Sequence, residues 1–111
     1  MKHILFTIKG CKHELLDDEL HIRNVLVNAA QLAESTLLDI SSHKFDPHGV
    51  TAIALLAESH ISIHTWPELR MAVCDVFTCG EHTSPASAAS YMYTAMEATS
   101  HVTETFTRPL E

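Results

Sequence analysis

Glycine and proline are scarce in this chain, three and four residues among 111. Most fall between hydrophobic segments of regular period. They punctuate one continuous fold and leave no linker, repeat array or low-complexity tract. Basic residues are scarce too. Seven lysines and arginines are scattered against fourteen acidic residues, for a net charge of −7. With no basic stripe, the chain lacks the electrostatic footprint of a nucleic-acid binder. An acidic surface suits solubility and a cationic small substrate. No apolar run reaches the ~18 residues that span a bilayer, so no membrane partner is expected. The opening Met1-Lys2-His3-Ile4-Leu5-Phe6 runs straight into a strand pattern. It carries no small-residue cleavage site, and the expected compartment is the cytoplasm. Only three cysteines occur, Cys11, Cys74 and Cys79, with no C-x-x-C pair. Their odd number fits a reducing environment.

What is present is a hydrophobic fraction of 46%, ordinary for a globular protein. Residues 1–111 read as one domain. A chain of this size buries roughly 65% of its unfolded surface and folds without disulfides. Nine histidines are many, and most read as solvated or core imidazoles. His60 and His64 stand four apart, a spacing that on a helix would suggest zinc. The residues around them are strand-like, and no third ligand lies at a telling distance, so no metal is expected.

The periodicities predict an order β-α-β-β-β-β-α-β. Residues 3–9 alternate as a strand, and Gly10 ends it. Asp17-Asp18-Glu19 place negative charge at a helix start. Ile22, Val25, Leu26, Ala29 and Leu32 then recur at helical spacing, which gives a helix over about 17–34. Residues 36–45 read as a strand, and Phe45-Asp46-Pro47-His48-Gly49 as a turn. Val50 to Ala57 is a near-continuous apolar strand that calls for cover on both sheet faces. Further strands follow at 59–66, stopped by Pro67, and at 70–77. Thr83-Ser84-Pro85 caps a helix over about 85–99. Ala89, Met92 and Met96 form its buried stripe, and a last strand covers about 101–107. Consecutive strands imply antiparallel pairing. The fold class is α+β: a two-layer α/β sandwich with an antiparallel sheet and two helices on one face. The open face points to a dimer with its sheets packed together.

Chemistry concentrates in Glu58-Ser59-His60-Ile61-Ser62-Ile63-His64-Thr65-Trp66-Pro67-Glu68 and in Asp75-Val76-Phe77-Thr78-Cys79-Gly80. Ser59 reads either as a turn serine or as a nucleophile aimed at the carbonyl of Glu58. In the second case its hydroxyl attacks that carbonyl, converts the amide to an ester and eliminates. A dehydroalanine results, which hydrolyses to a pyruvoyl group and ammonia. His64 is the candidate base, since an imidazole can take up a proton at neutral pH. Residues five apart on a regular strand point to opposite faces, so His64 is expected to serve the Ser59 of a partner subunit. Cys79, at a strand end, is a candidate proton donor. Cys11 and Cys74 read as buried small hydrophobes. Glu68, beyond Trp66-Pro67, is placed to accept hydrogen bonds from ribose hydroxyls. Phe45 is most simply core, though an aromatic beside a sulfonium and a purine would gain cation–π and stacking energy.

These motifs, with Phe45-x-Pro47-x-Gly49-Val50-Thr51 before them, resemble the bacterial-type S-adenosylmethionine decarboxylases over nearly the whole chain. The resemblance implies a proenzyme that cleaves itself between Glu58 and Ser59. A β chain (1–58) and an α chain (59–111) headed by a pyruvoyl cofactor would result. The substrate amine would form a Schiff base with that group, on the way to the aminopropyl donor for spermidine. Cys79 would protonate the α-carbon, and His64 and the Thr51 hydroxyl would assist processing. Phe45 and Glu68 would hold the base and the ribose. A homodimer of four layers, αββα, with active sites at the subunit interface, is also implied. Some relatives of this fold act on arginine or ornithine, which leaves a basic amino acid as the alternative substrate.

Overall fold

A computed structural model of the chain describes residues 1–79 and 82–109. Six strands make one sheet: β1 (Lys2–Lys9), β2 (Leu37–Lys44), β3 (Val50–Leu56), β4 (Ser59–Trp66), β5 (Met71–Thr78) and β6 (Ser100–Thr107). Their spatial order is β2-β3-β4-β5-β1-β6. Every pairing is antiparallel. The helices are α1 (His13–Leu16), α2 (Glu19–Leu32) and α3 (Pro85–Ala95), and a 3-10 turn spans Pro67–Leu69.

Alternation along the strands decides which face is buried. Ile4, Phe6 and Ile8 of β1 point to the helices, as do Ala52 and Ala54 of β3, Ile61 and Ile63 of β4, and Cys74 and Val76 of β5. Ile22, Val25, Leu26 and Ala29 of α2 and Ala88 and Met92 of α3 close over them. Each fully buried Ile or Leu contributes about 1.5–3 kcal/mol, so this layer contact stabilises the protomer. The two-layer sandwich expected from the sequence is the fold observed.

The expected helix over 17–34 is observed as α2, over 19–32, and a short helix not expected from the sequence, α1, precedes it. Asp18, not Asp17, is the N-cap, and its side chain accepts the His21 N–H at 3.0 Å. Leu32, expected on the buried stripe, is 48% exposed because it lies in the last turn, at the edge of the contact. The last helix stops at Ala95, short of 99, and Glu97 turns the chain at φ 52° into β6. Ser84 occupies the α3 N-cap without a side-chain cap bond, and its hydroxyl meets that of Ser87 at 2.7 Å.

Asp17 is used elsewhere. Its Oδ1 accepts the Gly49 N–H at 2.8 Å and pairs with Lys44 Nζ at 3.0 Å. This ties the α1–α2 junction to the 45–49 turn. Gly49 has φ 112°, and a Cβ there would lie 3.2 Å from the Thr65 carbonyl, so glycine suits both backbone and space. The Gly49 N–H, then Lys44, holds the Asp17 carboxyl below its ordinary value. The folded value is lower than the unfolded one. The contribution is therefore complete above about pH 4 and is lost as pH falls through the folded pKa. Asp17→Asn is expected to cost roughly 1–2 kcal/mol at pH 7. In urea unfolding, the gap between wild type and variant should narrow at low pH.

Candidate active site

The site residues expected from the sequence fall into two groups at opposite ends of the β3–β4 hairpin. Leu56 pairs with Ser59, so Ala57 and Glu58 are the turn and Ser59 is the first residue of β4. Cys79 follows β5 directly, because Ser59 pairs with Thr78. The Glu58 main-chain carbonyl accepts two bonds from this one residue: the Cys79 N–H at 3.2 Å and the Cys79 thiol at 3.0 Å. Gly80, which closes the motif, lies outside the described residues.

The Glu58 side chain is turned away from that carbonyl. Its Oε1 accepts the Thr36 N–H at 2.9 Å, and Oε2 lies 3.2 Å from His82 Nε2. The Thr36 N–H foremost, then His82, holds this carboxyl below its ordinary value and thus ionised. Neither Thr36 nor His82 stood out in the sequence. Both lie outside the motif and come to Glu58 only through strand pairing and a loop.

The second group sits at the far end of the hairpin. Thr51 pairs with His64 in register, and Thr51 Oγ1 lies 3.2 Å from His64 Nδ1. A cleft of about 310 Å³ brings together Phe45, Thr51, His64 and Glu68, with His48, Gly49, Thr65 and Trp66. His48 Nε2 stands 3.3 Å from Glu68 Oε1. Phe45 is 46% exposed on this cleft, so the expectation of a core residue is corrected: the 45–49 turn carries its ring beyond the sheet edge. The His43 ring meets it edge-on at 4.6 Å.

Five steps along β4 separate Ser59 from His64, roughly 17 Å at strand rise. Ile61, Ile63 and Thr65 alternate toward the helices, whereas His64 is exposed on the other face. Within one protomer the two groups do not meet. Cys11 and Cys74 are buried, and burial pushes Cys11 up to about 11 and Cys74 well above its ordinary value. Cys79 is the partly exposed thiol.

His60 does not approach His64. It points to Asp75, as does His3. His60 Nε2 and His3 Nε2 lie 2.8 and 2.7 Å from Asp75 Oδ2, and Ser62 Oγ donates to Asp75 Oδ1. Burial raises the Asp75 carboxyl, but the bonds from Ser62, His3 and His60 outweigh it and the net shift is downward.

This geometry defines a class: a small α/β sandwich whose hairpin tip offers a serine behind a doubly hydrogen-bonded carbonyl. A family model described as S-adenosylmethionine decarboxylase matches residues 2–109. The chain belongs to that family. It is 47% identical over 107 residues to an S-adenosylmethionine decarboxylase proenzyme of Synechococcus sp. strain WH7803, covering 96% of this chain and 84% of that one. The proenzyme of Methanococcus maripaludis strain C5 is 55% identical over 84 residues, 76% of this chain and 69% of the relative. In structure, the adenosylmethionine decarboxylase from Aquifex aeolicus superposes with a TM-score of 0.92 at 35% identity, over 99% of this chain and 91% of that one.

Proposed function

We propose that this chain is a self-cleaving proenzyme that decarboxylates S-adenosylmethionine, with a pyruvoyl group made from Ser59. The observation that carries this reading is the Glu58 carbonyl held by both donors of Cys79. Ser59 Oγ attacks the Glu58 carbonyl carbon, and negative charge develops on the oxygen that the Cys79 N–H and S–H already face. The C–N bond breaks and the acyl group passes to Oγ as an ester. A base removes the Ser59 α-proton and the Glu58 carboxylate leaves, so residues 1–58 end in a free acid. The dehydroalanine left on 59–111 takes up water and loses ammonia.

The fold suits such a group. The cut falls in the turn, so the β3–β4 ladder stays paired after it. The fragments also interlock: β1, from residues 1–58, lies between β5 and β6, both from 59–111. Separating them would require three ladders to be broken, β1–β5, β1–β6 and β3–β4.

His64 is the proposed base, supplied by a second subunit. Along one strand it is too far from Ser59 and on the wrong face. The open face carries Leu5, Ile53, Leu55, Val73, Val102 and Phe106, each more than a third exposed. Packing two such faces together in a four-layer homodimer covers these side chains. It also brings the cleft group of one protomer to the hairpin tip of the other. In the joined site Phe45 stacks on the adenine and the sulfonium, while Glu68, steadied by His48, takes the ribose hydroxyls. Once formed, the pyruvoyl carbonyl supplies the electron sink for loss of the carboxylate. The Cys79 thiol, beside the new terminus, delivers the proton that replaces it.

The basic-amino-acid alternative draws no support, since the relatives above are all named for S-adenosylmethionine. Three free thiols fit a reducing compartment, and we place the reaction in the cytoplasm. Among the described residues no helix is long and apolar enough to cross a membrane.

Intact-mass spectrometry of the purified chain should find two fragments that meet at Glu58 and Ser59 and co-elute under native conditions. A single unreactive species would overturn the reading. Ser59→Ala should remain whole. Cys79→Ala loses the thiol but keeps the N–H, so cleavage should slow by roughly ten- to a hundredfold rather than stop. Cys79→Ser restores a donor and should recover cleavage, yet release little labelled CO2 from S-adenosylmethionine. Co-expressed Ser59→Ala and His64→Ala chains test the shared site. Hybrid dimers should recover cleavage of the His64→Ala chain, and no recovery would place the base elsewhere.

A further inference from the structure

On the open face, beginning one residue along β4 from Ser59, three strands aim ligand-type atoms at one point. β1 supplies His3, β4 supplies His60 and β5 supplies Asp75. Both histidines pair across the sheet with Phe77, one step of the same face from Asp75. That register makes the two rings converge on Asp75 from either side. Their nitrogens and the carboxylate oxygen all lie within 4.8 Å of one another, and all three residues are half-buried.

We propose that His3, His60 and Asp75 form a binding site for a zinc-class divalent cation, a role independent of the decarboxylase reading. Two imidazoles and one carboxylate are a ligand set that zinc accepts in sites with an open fourth position. The cation would replace the two protons that the rings now share with Asp75 Oδ2. With arms of ~2.0 Å in a tetrahedral site, each ring nitrogen would sit about half an ångström further from Asp75 Oδ2 than the present 2.7 and 2.8 Å. The surroundings are those of a built site. Ser62 holds Asp75 Oδ1 and leaves Oδ2 free to ligate. The Phe77 ring packs against both imidazoles, at 4.9 Å from His3 and 5.9 Å from His60, which limits their rotation. Ser62 and Asp75 also border a depression of about 470 Å³ on the same face, which they share with His64. All three ligands stand on neighbouring strands, where the ladder holds their spacing.

The test is equilibrium dialysis of the EDTA-stripped full chain against zinc chloride, with metal counted by mass spectrometry and folding followed by circular dichroism. Wild type should take up one zinc per chain. His3→Ala and Asp75→Asn should lose it while remaining folded, and Ser62→Ala should weaken it by about tenfold. His13→Ala, an exposed histidine elsewhere, should bind as wild type. Cobalt in place of zinc should give the strong visible bands of a four-coordinate ion in wild type and none in His3→Ala. Should His3→Ala misfold, His3→Gln keeps a hydrogen bond to Asp75 and replaces it in the comparison. Less than half an equivalent of zinc in wild type overturns the proposal, as does stoichiometric uptake unchanged in folded His3 and Asp75 variants. Because the readout is metal content and not turnover, failure here leaves the cleavage result untouched.

Discussion

Two-residue alternation in the strands is the constraint from which the rest follows. It sends Ile61 and Ile63 into the helix layer and, from the same strand, His60, Ser62 and His64 to the opposite face. One face stabilises the protomer, and the other carries polar and half-exposed apolar side chains. A slip of one residue would exchange the two faces, burying His64 under α2 and exposing the core. The antiparallel register thus sets stability and chemistry together.

The register also determines where covalent chemistry can occur. Ser59 opens β4 next to Thr78, which ends β5, so Cys79 arrives beside the Glu58 carbonyl with its N–H and thiol both available. The hairpin turn exposes that peptide without costing the ladder a bond. The proposed cut falls in the turn, so both fragments would keep their strands in one interlocked sheet. At the other end, Thr51, His64, Phe45 and Glu68 share a cleft, with His48 against Glu68. Two half-sites about 17 Å apart on one strand favour a shared site between subunits.

Polar groups on the open face have their own organisation. His3, His60, Ser62 and Asp75 satisfy one another, so the sheet tolerates a half-buried carboxylate there. Leu5, Val73 and Phe106 surround this polar centre with apolar surface. A sheet face with an apolar margin and a polar middle accepts a second layer in few registers. Unpaired polar groups would penalise the wrong ones.

Local structure was legible in the chain itself. Period-two and helical spacings located all six strands and the two long helices, because burial of one face imposes those periods on the residues. Glu58-Ser59, His64 and Cys79 stood out because few residue types can do nucleophilic or proton-transfer work. α1 was hidden and the start of α2 ambiguous, since Asp17 and Asp18 are equally good caps in sequence, and only the fold gives Asp17 to Gly49 and Lys44 and leaves Asp18 to cap His21. Phe45 was placed in the core because hydrophobicity says nothing of which way a turn carries a ring. His60 was compared with its neighbour His64, whereas its partners His3 and Asp75 are 57 positions back and 15 ahead. Sequence determined which residues lie on each face, because that depends on nearest neighbours along the strand. Tertiary structure alone decided which distant residues meet, because cross-strand register is set by the packing of the whole sheet.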